Sequence, residues 1–424
     1  MEDTREAAGW RAAGRVHGMG TSIFTEMTEL ARSTGALNLG QGVPELASPP
    51  ELLQDVADAV LAGHNQYPPA VGFPALREAV AAHQLRRYGL TYDPVGEVLV
   101  TTGATEALAA AVLAFCDPGD EIIAFDPCYD AYAADARLAG ARLVAVPLTL
   151  DGDTFALDAD ALRAALSPRT RVLLLNTPHN PTGKVFTPAE LAEIADICRE
   201  HALTVITDEV YEHLVYQDGA RHLTIAALPG MRERTVVVSS AGKTFNTTGW
   251  KVGWVCGPAP LVSAVGAAKQ FLTYASGTPY QEALARALGS VEKWAEELRG
   301  TLRDHRDLLS AGLERAGLRP FRADAGYFVQ ADVRPSGYAD GVEFCRELPA
   351  LAGVVAIPTS AFYVSEGAPR WLVRFSFCKR RDVLEEAVER LMVLATRAEG
   401  GAGSAGSAGS VDAAGPVGAA GSKG

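Results

Sequence analysis

The chain has 424 residues, 48% of them hydrophobic, and a formal net charge of −13 at pH 7. Single hydrophobic cores stop growing near roughly 250–300 residues, so this length implies two domains or one large one. The acid excess argues against nucleic acid or an anionic membrane surface as the main partner.

Taken in chain order, residues 1–17 mix charges with alanines and offer few core formers, so a flexible N-terminus is expected there. It carries no apolar leader segment of the secretory kind. Strands are expected at Val98–Thr102, Glu121–Phe125, Arg142–Val146, Val172–Leu175, Thr204–Thr207, Thr235–Val238 and Val252–Val255. Most are continuous Val/Ile/Leu runs, the pattern of strands covered on both faces. Helical patterns at Thr105–Cys116, Pro188–His201 and Pro258–Leu272 fall between them. Such alternation predicts an α/β fold, a mostly parallel seven-stranded sheet with helices on both faces.

Beyond about Arg286 the pattern changes. A long charged helix (Glu292–Ala316) leads to alternating strands at Tyr327–Val333 and Trp371–Phe377, then to a last helix at Arg381–Arg397. A smaller α+β domain of residues 18–55 and 286–398 is therefore expected beside a large domain of residues 56–285. Residues 399–424 are a Gly/Ala/Ser tract with almost nothing to bury, expected to be a disordered tail. The longest near-continuous apolar stretch, Ala107–Cys116, is too short to span a bilayer. The six cysteines (116, 128, 198, 256, 345, 378) form no C-x-x-C pair, which fits a reducing compartment and neither a disulfide framework nor a zinc site. A soluble, cytoplasmic protein without a metal is expected.

In an open α/β sheet, ligands sit beyond the carboxyl ends of the strands. After Val98–Thr102 comes Gly103-Ala-Thr-Glu-Ala, a glycine turn opening a helix and a candidate anion site. Asn176-Thr-Pro-His-Asn-Pro-Thr-Gly follows the strand at 172–175, and Asp208-Glu-Val-Tyr the strand at 204–207. After Thr235–Val238 come Ser239, Ser240 and Lys243. A lysine at the mouth of a buried strand can lose its proton and attack a carbonyl. Gly-Lys-Thr also closes a nucleotide phosphate loop, but that loop needs a glycine where Val237 stands. Each feature alone has a plainer reading: Gly103 as a turn, Asn180 as a turn cap, Asp208 as a helix N-cap, Lys243 as a surface lysine. Their joint placement at successive strand ends supplies a phosphate cradle, a carboxylate, a hydroxyl, an amide and an amine, the set a phosphorylated aromatic aldehyde would use.

Asn176-Thr-Pro-His-Asn-Pro-Thr-Gly-Lys, Asp208-Glu-Val-Tyr and Ser239-Ser-Ala-Gly-Lys-Thr-Phe resemble the motifs of fold-type-I, class I pyridoxal-phosphate aminotransferases. Leu39-Gly-Gln-Gly-Val-Pro, Asn65-Gln-Tyr-Pro, Gly249-Trp-Lys-Val-Gly-Trp and Val373-Arg-Phe-Ser-Phe-Cys-Lys resemble the branch of kynurenine, glutamine K and methionine aminotransferases. Actinobacterial N-succinyldiaminopimelate aminotransferases are similar over nearly the whole length. The resemblance covers about residues 18–395. It implies a homodimer with shared active sites, bound pyridoxal 5′-phosphate, and an amino acid and a 2-oxo acid as substrates. Lys243 is then the lysine that joins the cofactor aldehyde and afterwards moves the substrate proton. Asp208 pairs with the pyridine nitrogen, Tyr211 and Asn180 with the phenolic oxygen, and Tyr129 stacks on the ring. Ala104, Thr105, Ser240 and Lys251 hold the phosphate, with Tyr67 reaching in from a neighbouring subunit. Lys251 stands where relatives often use arginine, so the charge is kept without the bidentate fork.

Strand alternation sets Arg374 opposite Val373, Phe375 and Phe377, a charge in an apolar segment that needs a partner. The resemblance makes it the anchor of the substrate α-carboxylate. Gly42 lets substrate approach the backbone, and Phe24 and Tyr363 are expected as cavity walls. Two rival functions carry different marks. A cysteine-S-conjugate β-lyase would use the same cofactor and release pyruvate and ammonia without an added oxo acid. A ligand-sensing regulator would need a basic DNA-binding module ahead of the domain, where only about 17 residues stand.

Overall fold

The computed structural model describes residues 12–17, 19, 23–217, 221–275 and 277–395. The expected disordered tail, the start of the N-terminal stretch and the end of the last expected helix lie outside the described residues. Residues 14–16 form a single 3-10 turn.

The expected strands form one seven-stranded sheet. In chain order they are β1 (Val98–Thr101), β2 (Glu121–Asp126), β3 (Arg142–Pro147), β4 (Thr170–Asn176), β5 (Thr204–Asp208), β6 (Thr235–Ser240) and β7 (Gly253–Cys256). The spatial order is β1-β7-β6-β5-β4-β2-β3. All neighbours are parallel except β7, which runs antiparallel to both β1 and β6. No local pattern distinguishes β7 from the others, because all residues of β1, β2, β6 and β7 are buried.

Alternation along the strands explains the continuous apolar runs. Ile122, Ala124, Val172, Leu174, Ile206, Val236 and Val238 pack with side chains of the helices Gly103–Phe115, Asp130–Ala139 and Ala259–Lys269. Ile123, Phe125, Leu173, Leu175 and Val205 point the other way, toward Leu191 and Ile194 of the helix Pro188–Glu200. That helix starts on a complete capping box between Thr187 and Glu190.

A second sheet is antiparallel and has four strands: β8 (Arg319–Pro320), β9 (Phe328–Asp332), β10 (Ile357–Pro358) and β11 (Leu372–Ser376), in the order β8-β9-β11-β10. The helices Val291–Arg315, Gly341–Ala352 and Arg381–Leu391 share a core with it. Met27 and Leu39 join that core from the N-terminal side, and Leu37–Asn38 pair in parallel with Val354–Val355. Arg374 lies in the middle of β11, opposite Gln330 on β9 and Ile357 on β10. No helix among the described residues is long and apolar enough to cross a membrane.

Candidate active site

A cavity of about 500 Å³ opens beyond the carboxyl ends of β4, β5 and β6. Phe24, Gly42, Ala104, Thr105, Tyr129, Asn180, Asp208, Tyr211, Ser240, Lys243, Lys251 and Arg374 all line it. The sheet register sets Asn176 beside Asp208 at adjacent strand ends. Asn176 braces both loops: its Nδ2 donates to the Asp208 carbonyl at 2.9 Å, and its Oδ1 accepts from the Asn180 N–H at 2.7 Å.

Asp208 ends β5 and is almost fully buried. Tyr132 donates to its Oδ2 at 2.7 Å, and the Val210 N–H reaches its Oδ1 at 3.3 Å. Burial outweighs these bonds and pushes the carboxyl up to about 6. Lys243 follows β6 on the short helix Ala241–Thr244. Its Nζ lies 5.7 Å from the Tyr211 ring centre and 5.3 Å from that of Tyr327. Burial lowers the Lys243 amine, and the charges of Arg374 and Lys251 act in the same direction. Burial also raises the Tyr211 phenol, and lifts that of Tyr129 to about 12.

The anion cradle depends on two glycines. Gly103 opens its helix at a φ of +72°, a backbone region that side chains rarely adopt. Gly253 on β7 lies so close that a Cβ there would come within 2.6 Å of the Gly103 carbonyl carbon. This packing presents the first backbone N–H groups of the helix to the cavity. Lys251 reaches the same place, with its Nζ 3.1 Å from the Thr105 hydroxyl.

Arg374 is the most constrained charge in the cavity. Its guanidinium carbon lies 3.8 Å from the Phe328 ring centre, 4.4 Å from Phe362 and 5.5 Å from Phe24. Nη2 donates to the Gly40 carbonyl at 2.8 Å and Nη1 to Asn180 Oδ1 at 3.2 Å, while Nε is buried with no partner. Among the described residues no carboxylate pairs with it, and burial pushes the guanidinium down to about 9. A Cβ at Gly42 would come within 2.4 Å of Phe328, so only glycine leaves the ring in place over Arg374.

Residues 34–391 match the family model for aminotransferase class I and II. The chain belongs to the class I and II aminotransferases. It is 53% identical over 391 residues to the probable N-succinyldiaminopimelate aminotransferase of Mycobacterium tuberculosis, covering 90% of this chain and 98% of that one. A solved structure of N-succinyldiaminopimelate aminotransferase from that organism superposes with a TM-score of 0.89 at 52% identity, over 91% of this chain and 100% of the other. The methionine aminotransferase of Escherichia coli is 40% identical over 376 residues, 89% of this chain and 96% of that one. The fold is accordingly the fold-type-I aminotransferase fold, and the protein is an enzyme that transfers amino groups. Its family works with pyridoxal 5′-phosphate and acts on amino and 2-oxo acids.

Tyr363 is not among the residues that line this aminotransferase cavity, and Tyr67, expected to serve the neighbouring subunit, lies on the surface. Tyr363 is not a wall residue, because the 3-10 turn Thr359–Phe362 buries Phe362 over Arg374 and carries Tyr363 past the cavity. Tyr67 is 84% exposed and packs edge-on against Tyr274. Four side chains that shape the site escaped the sequence reading: Tyr132, Phe328, Phe362 and Asp130. Tyr132 had a findable signal, three residues from Tyr129 on one helix. Phe328 lies on the strand that pairs with β11, a neighbour fixed by sheet order rather than by spacing.

Proposed function

We propose that this chain is a pyridoxal-phosphate-dependent aminotransferase that moves the amino group of an L-amino acid to a 2-oxo acid, acting as a cytoplasmic homodimer with shared active sites. The observation that carries this reading is Arg374, a buried guanidinium with a bare Nε and no paired carboxylate among the described residues, in one cavity with Lys243 and Asp208. A buried charge without a partner is costly, and the α-carboxylate of an amino or oxo acid supplies two oxygens matched to the guanidinium fork.

The residues present fit the cofactor. Thr105, Ser240, Lys251 and the N–H groups at Ala104 and Thr105 would hold its phosphate. Asp208, a desolvated carboxylate without a close ion pair among the described residues, would pair with the ring nitrogen. Tyr211 and Asn180 would bond the phenolic oxygen, and Tyr129 would flank the ring. Once bound, pyridoxal phosphate supplies an electron sink for the charge left at the donor Cα. Lys243 would hold the cofactor through Nζ and would move the proton at the donor Cα. Its depressed basicity keeps the nucleophilic neutral amine accessible. Arg374 and Asn180 hold the carboxylate end of the donor, and Phe24 and Phe328 keep water from it.

The names of the relatives supply candidate donors: N-succinyldiaminopimelate, methionine and kynurenine; the motif resemblance adds glutamine-like and aromatic amino acids. The homodimer is supported by large exposed apolar side chains at Tyr67, Phe271 and Tyr274, on a segment tied to the cavity rim through the bond between Thr273 and Thr102. The small domain, residues 18–55 with 286–398, is supported by the core that joins Met27 and Leu39 to β9 and β11. The large domain is then residues 56–285. Arg374→Ala tests the anchor: the donor KM should rise by roughly a hundredfold with cofactor affinity nearly unchanged. Equal loss of donor and cofactor binding would overturn it.

A further inference from the structure

Of the three rings around the Arg374 guanidinium, Phe328 and Phe362 lie closest, with centres at 3.8 and 4.4 Å, and they are held there in different ways. Phe328 belongs to β9, whose pairing with β11 fixes its place beside Arg374. Phe362 belongs to no strand. It ends the 3-10 turn Thr359–Phe362, which follows β10 and is tied at its start by the bond from Thr359 to Gln330. The end that carries the ring needs another hold.

The large sheet supplies it. Just past β2, the Cys128 N–H donates to the Phe362 carbonyl at 2.7 Å. Asp126, the last residue of β2, is fully buried, and its carboxylate grips the loop that follows the ring. It accepts from the Val364 N–H at 3.1 Å, from the Ser365 N–H at 2.8 Å and from the Ser365 hydroxyl at 2.6 Å. A buried carboxylate is costly to leave unmet, so these charge-assisted bonds hold the loop firmly. The chain Asp126-Pro-Cys-Tyr then runs on to Tyr129, so one short segment both carries a cavity wall and fastens Phe362.

We propose that Asp126 is a positioning residue for substrate binding: by fastening the loop Val364–Ser365 to the end of β2, it seats Phe362 on Arg374. The seated ring keeps water from the guanidinium, and the lower local dielectric strengthens its pairing with a carboxylate. The proposal rests on Arg374 as the α-carboxylate anchor. Asp126 does not line the cavity, so its effect reaches the substrate only through the ring. Amino acid and 2-oxo acid share the anchor, and both should feel the loss of Asp126 alike.

Half-reactions followed on the cofactor absorbance of the holoenzyme test this, with methionine or kynurenine as donor, whichever reacts faster. Asp126→Asn should raise the donor KM by about tenfold, with the limiting rate and cofactor affinity within about twofold of wild type. Ser365→Ala removes one bond and keeps the carboxylate, and should raise KM by about threefold. Phe362→Ala should cost about tenfold, and adding Asp126→Asn or Ser365→Ala to it should cost nothing more, because both act through the ring. Additive losses in the double variants would overturn the proposal, as would a cofactor affinity that falls in step with donor binding. So would an unchanged KM in folded Asp126→Asn; if that variant does not fold, Ser365→Ala and its combination with Phe362→Ala decide the matter. A donor KM indifferent to Arg374→Ala would instead remove the anchor, and the proposal with it.

Discussion

Two groups of buried charge lie back to back in the segment that follows β5, and they are built in opposite ways. Asp208 and Tyr211 line the cavity, whereas Glu209 and Glu212 turn into the protein. Glu209 accepts from Thr207 at 2.9 Å, from Thr224 at 2.7 Å and from His222 at 2.8 Å. Glu212 accepts from Ser239 at 2.6 Å and Tyr88 at 2.5 Å, with His83 at 3.1 Å. Burial opposes its charge, but His213, His83 and Arg87 hold the carboxyl well below its usual range. His83, Glu212 and His213 bring ligand atoms within 4.8 Å of one another, close enough for a metal ion. Both Glu212 oxygens are already engaged, however, so the cluster serves as scaffold. On the cavity side, Arg374 keeps a bare Nε, and among the described residues Asp208 makes no close ion pair, feeling only the more distant charge of Lys243. A buried charge with its partners in place fixes the fold; one with open positions awaits a ligand.

Substitutions on the two sides should therefore separate activity from stability. The largest effect is expected at Lys243. Lys243→Ala should cut turnover by roughly a thousandfold or more while leaving the melting temperature of the ligand-free protein unchanged or raised. Near-normal turnover by that variant would remove the central assignment.

Asp208→Asn should lower turnover by about a hundredfold and yet stabilise the ligand-free protein. The sign follows from the carboxyl, which sits at about 6 when folded and at an ordinary 3.8 when unfolded. The folded state then holds its proton more tightly, so ionisation costs stability progressively from about pH 4 to 6 and in full above that. At pH 8 the gain from removing it is about 3 kcal/mol, with no gain near pH 3. Denaturant melts at the two pH values check this, and a destabilised variant at pH 8 would break the contrast. Glu212→Gln should act in reverse. We expect a loss of about 3 kcal/mol in stability, with turnover of the folded fraction within a few-fold of wild type. A large drop in turnover without a fall in stability would move Glu212 to the active side.

The legible parts of the site were those where one residue's chemistry conflicts with its surroundings. Arg374 in an apolar alternating strand and Lys243 at the end of a β-branched run both stand out along the chain, and both line the cavity. What stayed hidden depends on neighbours distant in sequence. Phe328 stacks on Arg374 only because β9 pairs with β11. Phe362, at the end of one 3-10 turn, is the ring of that turn that stacks on Arg374. The two-versus-two split of Asp208, Glu209, Tyr211 and Glu212 is likewise invisible in the residue types alone.

By itself the sequence determined the seven strands of the large sheet and which residue types stand at their carboxyl ends, because hydrophobic period and strand-end chemistry are local properties of the chain. It did not determine that β7 runs antiparallel, that a Gly253–Gly103 contact shapes the anion cradle, or that three aromatic rings enclose Arg374 with no paired carboxylate among the described residues. Those are settled by which segments pack together. The free energy of a charge depends on every partner brought within a few ångströms of it, and only the tertiary structure fixes that list.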